Sequence, residues 1–232
     1  MNNLKNYKKK QKTAIITGAS EGIGAAFSRL LIKKGWKVFG ISRSSSKLKA
    51  MSKSFKSNEQ SFKYFSCDVQ DFKKLKSIAK EIEAPDLLLL NAGIYSPVNA
   101  SEINLDLYKK HMNINYLGVL NSYEAFLPGL IRKQNGHIII MSSVSGWIGL
   151  PKAAAYGPTK AALRSFAQSA RYDLNPKGIK VQLCSPGFVE TQATSINDFY
   201  MPGLMNVNEA ANLIFKHMSC LLYTSDAADE RN

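Results

Sequence analysis

The stretch TAIITGASEGIG, Thr13 to Gly24, decides the fold. Thr13 to Thr17 is short, β-branched and apolar, which favours a strand. Glycines follow at once, and Gly24 opens AAFSRLLIKKG, whose apolar residues Phe27, Leu30 and Leu31 have helical spacing. Strand, glycine turn, helix is the order that brings backbone N–H groups and a helix N-terminus up to a phosphate. The spacing here is Gly18, Gly22 and Gly24, which differs from the GxGxxG form.

Outward from this stretch the elements alternate. WKVFGIS (Trp36 to Ser42) reads as a second strand, and a Ser/Lys-rich helix follows it. FKYFSCDV is a third strand, Phe72 to about Glu83 a helix, and DLLLLNAG a fourth strand. The nearly unbroken leucines of that last run suit a parallel strand covered on both faces. Two long helical segments, around Leu105 to Lys133 and Ala153 to Asn175, flank the strand HIIIMSS; IKVQLCS then leads into PGFVET. The pattern predicts a Rossmann-like α/β fold: one doubly wound parallel sheet in a three-layer α/β/α domain, with ligands at the carboxyl ends of the strands.

A second constellation carries chemistry. Tyr156 and Lys160 stand four apart in YGPTK, with Ser143 thirteen residues upstream. On a helix the phenol and the ammonium would share a face, where the cation can stabilise a phenolate. A free phenol has a pKa near 10, so bringing it to neutrality takes about 4 kcal/mol of preference for the phenolate. The pair alone reads more readily as an ordinary amphipathic helix; its company decides.

Together these motifs resemble the short-chain dehydrogenase/reductase family from about Lys12 to Met218. The resemblance implies a nicotinamide-cofactor loop at TGASEGIG (Gly18, Ser20, Gly22, Ile23, Gly24) and a strand-four motif at Asn91-Ala92-Gly93. It further implies Asp68-Val69 beside the adenine, and Pro186, Gly187, Val189 and Thr191 around the nicotinamide. It assigns the catalytic set to Asn115, Ser143, Tyr156 and Lys160. Tyr156 is then the general acid/base, Ser143 the donor to the carbonyl oxygen, and Lys160 the group that lowers the tyrosine pKa and bonds the nicotinamide ribose. Asn115 would hold a water linking Lys160 to solvent. Ser142 is the alternative serine; spacing and the family pattern favour Ser143. In the family the two long helices pack against a second subunit, which implies a homodimer or homotetramer.

Cofactor preference turns on the end of strand two, where NAD-preferring enzymes place an acidic residue. This chain has Ser42 and Arg43 there. A guanidinium can grip a 2′-phosphate through several donors, so NADP(H) is expected over NAD(H). One departure stands against it: where many NADP-preferring relatives carry a basic residue in the glycine loop, this chain has Glu21. The substrate region contains Tyr95, Trp147, Ile148, Leu150, Phe199, Tyr200, Met201 and Met205. These suggest a partly apolar carbonyl or alcohol compound contacting Ser143, Tyr95, Trp147 and Tyr156, or else a lid or subunit contact. The expected activity is NADP(H)-dependent interconversion of a carbonyl and a secondary alcohol. The alternative is a catalytically idle NADP(H)-sensing regulatory protein on the same fold.

Composition sets bounds. A chain of 232 residues with 45% hydrophobic content can build one full core. No apolar run approaches the ~18 residues of a membrane span, and the polar, basic first residues (1–11) lack the apolar centre of a signal peptide, so a cytoplasmic protein is expected. Cys67, Cys184 and Cys220 have neither disulfide nor metal-ligand spacing, and no metal is expected. The net charge of +14 comes from scattered lysines, as an AT-rich genome would produce, and implies no specific nucleic-acid partner. Lys8, Lys9, Lys10 and Lys12 read as a solvated leader, and Lys73, Lys74 and Lys76 as an exposed helix face. Residues 220–232, from CLLYTSDAADE on, read like a translated sequencing adapter. The domain is therefore expected to span 12–219 and to lack its final strand.

Overall fold

The structure, a computed structural model, describes residues 10–55 and 61–218. Its strands are β1 (Thr13–Thr17), β2 (Lys37–Ser42), β3 (Phe62–Ser66), β4 (Leu87–Leu90), β5 (Gly136–Met141) and β6 (Ile179–Cys184). They form one sheet in the order β3-β2-β1-β4-β5-β6, with every pairing parallel. The strand order reverses between β1 and β4, so the chain leaves the sheet on opposite sides there and a crevice opens at the carboxyl ends.

Helices α1 (Gly22–Lys33), α2 (Ser45–Ser54), α3 (Phe72–Glu81), α4 (Leu105–His111), α5 (Gly118–Lys133), α6 (Gly157–Leu174) and α7 (Val207–His217) cover the two faces. The leucines of β4 show why the run is unbroken. Leu88 and Leu90 enter the core shared with Leu75, Phe126 and Leu163. Leu87 and Leu89 enter the opposite core, with Phe27, Leu48 and Ile214. All four are fully buried, each contributing about 1.5–3 kcal/mol as an upper estimate. Lys73, Lys74 and Lys76 lie on the exposed side of α3, as their spacing predicts.

Two expectations change. The segment Leu105 to Lys133 is one path but not one regular helix: between α4 and α5 runs a π-helical turn, Met112–Leu117. Such turns widen the hydrogen-bond ladder locally and recur at functional sites. Gly118 ends it against Val69, where a β-carbon would come within 2.5 Å of Cγ2. The helix expected from Ala153 starts instead at Gly157. Pro158 accounts for this, because a proline is favoured in the first helical turn, where no N–H is needed. Tyr156 keeps helical dihedrals at the N-cap, so the four-residue relation to Lys160 survives.

The expected missing strand, the tail at 220–232 and most of the basic leader lie outside the described residues.

Candidate active site

The glycine turn is built by crowding. Gly18 and Gly22 have φ of +68° and +54°, which a side chain rarely tolerates. A β-carbon on Gly24 would sit 2.3 Å from the Gly18 carbonyl oxygen, and one on Gly18 2.8 Å from Asn91 Nδ2. Gly24 therefore shapes the turn rather than facing the cleft. Asn91 Nδ2 donates to the carbonyls of Thr17 (3.1 Å) and Gly18 (3.3 Å), while Thr17 Oγ1 accepts from the N–H groups of Asn91 and Ala92. The Asn91-Ala92-Gly93 motif is thus stitched to the end of β1. The N-cap of α1, Glu21, makes no side-chain cap, so its first-turn amides are not capped from that side chain.

A cleft runs along the carboxyl ends of the strands. It is lined by Gly18, Ser20, Gly22, Ile23, Ser42, Arg43, Asp68, Val69, Asn91, Ala92 and Gly93 at one end. Tyr95, Ser143, Tyr156, Lys160, Pro186, Gly187, Val189 and Thr191 line the other. At the outer end Ser20 and Ser42 hydroxyls are 2.8 Å apart, and Arg43 Nη1 lies 3.9 Å from Asp68 Oδ2. Glu21 is ion-paired with Lys47, which offsets the negative charge the glycine loop would otherwise present. An elongated cleft with a glycine cradle whose β-carbon positions are already taken, and a guanidinium at its far end, fits a dinucleotide.

At the inner end Ser143 caps the short turn Val144–Gly146, its Oγ accepting from Ser145 N at 3.2 Å. Burial raises the Tyr156 phenol to about 12, with Ser143 beside it acting in the opposite direction. Lys160 is 4% exposed; its Nζ lies 5.4 Å from the Tyr156 ring centroid and donates to the Met141 carbonyl at 2.8 Å. Burial lowers its pKa to about 8. Burial is the largest influence on the phenol. The phenol keeps its proton at neutral pH, which is the form a proton donor needs. Ser142, the other serine, is turned away, its hydroxyl donating to the Lys160 carbonyl.

Asn115 is fully buried in the π-helical turn and does not line the cleft. Its Oδ1 accepts from Ile94 N (2.7 Å), and its Nδ2 donates to Ile94 O (2.9 Å) and Thr159 Oγ1 (3.2 Å). Both amide hydrogens of Asn115 are thus engaged within the protein. Gly93 lets it approach, since a β-carbon there would lie 3.3 Å from Asn115 Oδ1 and 3.7 Å from Lys160 Nζ.

Trp147 departs from its expected place. Its indole stacks on Arg164 of α6 at 4.5 Å, donates to Ser185 Oγ, and is absent from the cleft lining. Ile148 and Tyr200 are exposed, whereas Leu150 and Phe199 do line the cleft. Phe188 and Asn197 line it too, and sequence reading passed over both. Phe188 sits inside PGFVET, whose pattern pointed to its neighbours, and only the edge-on contact with Phe199 reveals its side. Among the described residues no cluster of His, Cys, Asp or Glu could hold a metal ion.

The family model of the short chain dehydrogenases matches residues 12–198. This chain belongs to the short-chain dehydrogenase/reductase family. It is an NAD(P)-dependent oxidoreductase acting on CH–OH groups, as members of that family are. The dehydrogenase is 31% identical over 209 residues to an uncharacterized oxidoreductase of Myxococcus xanthus, covering 88% of this chain and 83% of the relative. It is 34% identical to a serine 3-dehydrogenase of Agrobacterium fabrum over 79% of this chain and 74% of that one. The solved structure of ElxO with NADP bound superposes with a TM-score of 0.79 at 26% identity, covering 89% of this dehydrogenase and 90% of ElxO. No helix among its described residues is long and apolar enough to cross a membrane.

Proposed function

We propose that this dehydrogenase is a cytoplasmic NADP(H)-dependent enzyme that interconverts a partly apolar carbonyl compound and its secondary alcohol, with Tyr156 as general acid/base. The observation that carries the reading is the meeting of Ser143, Tyr156 and Lys160 at the inner end of the cleft, with the ammonium over the tyrosine ring. When bound, a reduced nicotinamide supplies the hydride. Tyr156 passes its phenolic proton to the carbonyl oxygen as that oxygen becomes an alcohol. Ser143 turns its hydroxyl from Ser145 to the same oxygen and stabilises the charge developing there. Lys160, held by the Met141 carbonyl, keeps a positive charge beside the tyrosine while it is short of a proton, and would hold the ribose of a bound nicotinamide. Asn115 holds the Ile94 loop and, through Thr159, the backbone of Tyr156. Tyr95, Leu150, Phe188 and Phe199 give the substrate end its apolar walls. The outer faces of α5 and α6 expose Ile131 and Tyr172, which suits assembly of identical subunits.

Support for NADP(H) comes from Ser42 and Arg43 at the end of β2, from neutralisation of Glu21 by Lys47, and from the likeness to ElxO, whose structure carries NADP. Fluorescence titration tests it. Arg43→Ala is expected to weaken NADPH binding about tenfold, less than a buried charged contact because the side chain is 63% exposed, and to leave NADH binding unchanged. Equal losses for both cofactors would refute a 2′-phosphate contact.

A further inference from the structure

His111 is fully buried and takes no part in the scheme above. Its ring spans two elements: Nδ1 lies 2.8 Å from the Leu107 carbonyl, and Nε2 lies 3.1 Å from Ser96 N. Because the carbonyl can only accept and the amide can only donate, the geometry assigns the neutral tautomer with the proton on Nδ1. One helical turn further on, Asn115 grips both the N–H and the C=O of Ile94. The two side chains thus hold the residues on either side of Tyr95. Tyr95 is left facing the cleft, its ring edge-on to Tyr156 at 5.3 Å and 81°.

We propose that His111 is a positioning residue for the reaction: by holding Ser96 it fixes Tyr95 against Tyr156, and so sets the orientation of the phenol towards the carbonyl. This rests on the role proposed for Tyr156. An edge-on aromatic pair orients as well as attracts, and small misplacements of a reacting group lower rates steeply. His111 touches neither reacting atoms nor cleft, so its influence passes through Ser96 and Tyr95.

Two substitutions separate the bonds. His111→Asn places its amide where Nδ1 stands and has no atom at the Nε2 position, so it loses Ser96. His111→Gln reaches that position and can accept from Ser96. With NADPH and a panel of aryl and alkyl ketones as probes, H111N is expected to lower kcat/KM roughly tenfold while NADPH affinity stays within about twofold. H111Q restores most of the loss, and H111N combined with Tyr95→Leu is no worse than Tyr95→Leu alone. Amide hydrogen exchange over residues 94–98 is expected to quicken in H111N and not in H111Q. Losses that multiply in the double variant, an NADPH affinity that falls in step with turnover, or unchanged exchange in H111N would each overturn the proposal. If the wild-type chain reduces no ketone, the oxidoreductase mechanism fails instead, and the exchange comparison still decides the clamp.

Discussion

Tyr156→Phe is expected to lower kcat for carbonyl reduction by ~10²- to 10⁴-fold, the range by which a positioned general acid contributes. The ring remains, so the edge-on contact with Tyr95 and the cation over its face remain as well. Cofactor affinity should therefore stay near the wild-type value, and only the proton is lost. Stopped-flow loss of NADPH absorbance, beside an equilibrium titration, separates the two effects. Turnover that survives the substitution would remove Tyr156 as the proton donor. A collapse of NADPH binding would mean that the phenol is part of the cofactor site instead.

Lys160→Met separates function from stability. Burial lowers the ammonium from 10.5 to about 8, so at pH 7 it is still charged but held at a cost of about 3 kcal/mol. The substitution removes that cost and leaves the Met141 carbonyl without its donor, a loss of roughly 1–3 kcal/mol. The two nearly offset, so Tm at pH 7 should hold or rise slightly while turnover falls by ~10²-fold or more. The sign with pH follows from linkage. Between about 8 and 10.5 the unfolded chain binds the proton that the folded one has released, so wild-type stability gains from this group as pH rises through that window. K160M lacks that gain. In the active enzyme the charge is needed, so kcat/KM for NADPH should fall above about pH 8, the range in which the free enzyme loses this proton. Thermal melts and a pH–rate profile check both. A Tm for K160M many degrees below wild type would show that the lysine is structural.

Much of the fold is legible because its signals are local. Four leucines in a row between turn residues suit a central parallel strand dry on both faces, and the glycines after β1 leave few other turns. Pro158 carried the true start of α6 in plain view, since a proline favours the first helical turn over the interior, where it costs a hydrogen bond. The π-helical turn was not legible: it depends on Gly118 closing against Val69, a contact 49 residues away in sequence. The cleft ends were placed by motif, but side-chain direction was not. Trp147 stands in the expected loop and turns to Arg164 of α6, and the phenol's pKa is governed by burial that no spacing reports. His111 did leave a trace, four residues before Asn115, the spacing that puts two side chains on one helical face.

The central claim, that hydride from NADPH reaches a carbonyl carbon in this cleft, is tested most directly with NADPH deuterated at the transferring position of C4. Incubated with the ketone panel, the protein should yield an alcohol carrying one deuterium on its carbinol carbon, and Tyr156→Phe should yield almost none. Stoichiometric NADPH binding with no deuterium in any product would contradict the account and favour a protein that senses the cofactor without turning it over.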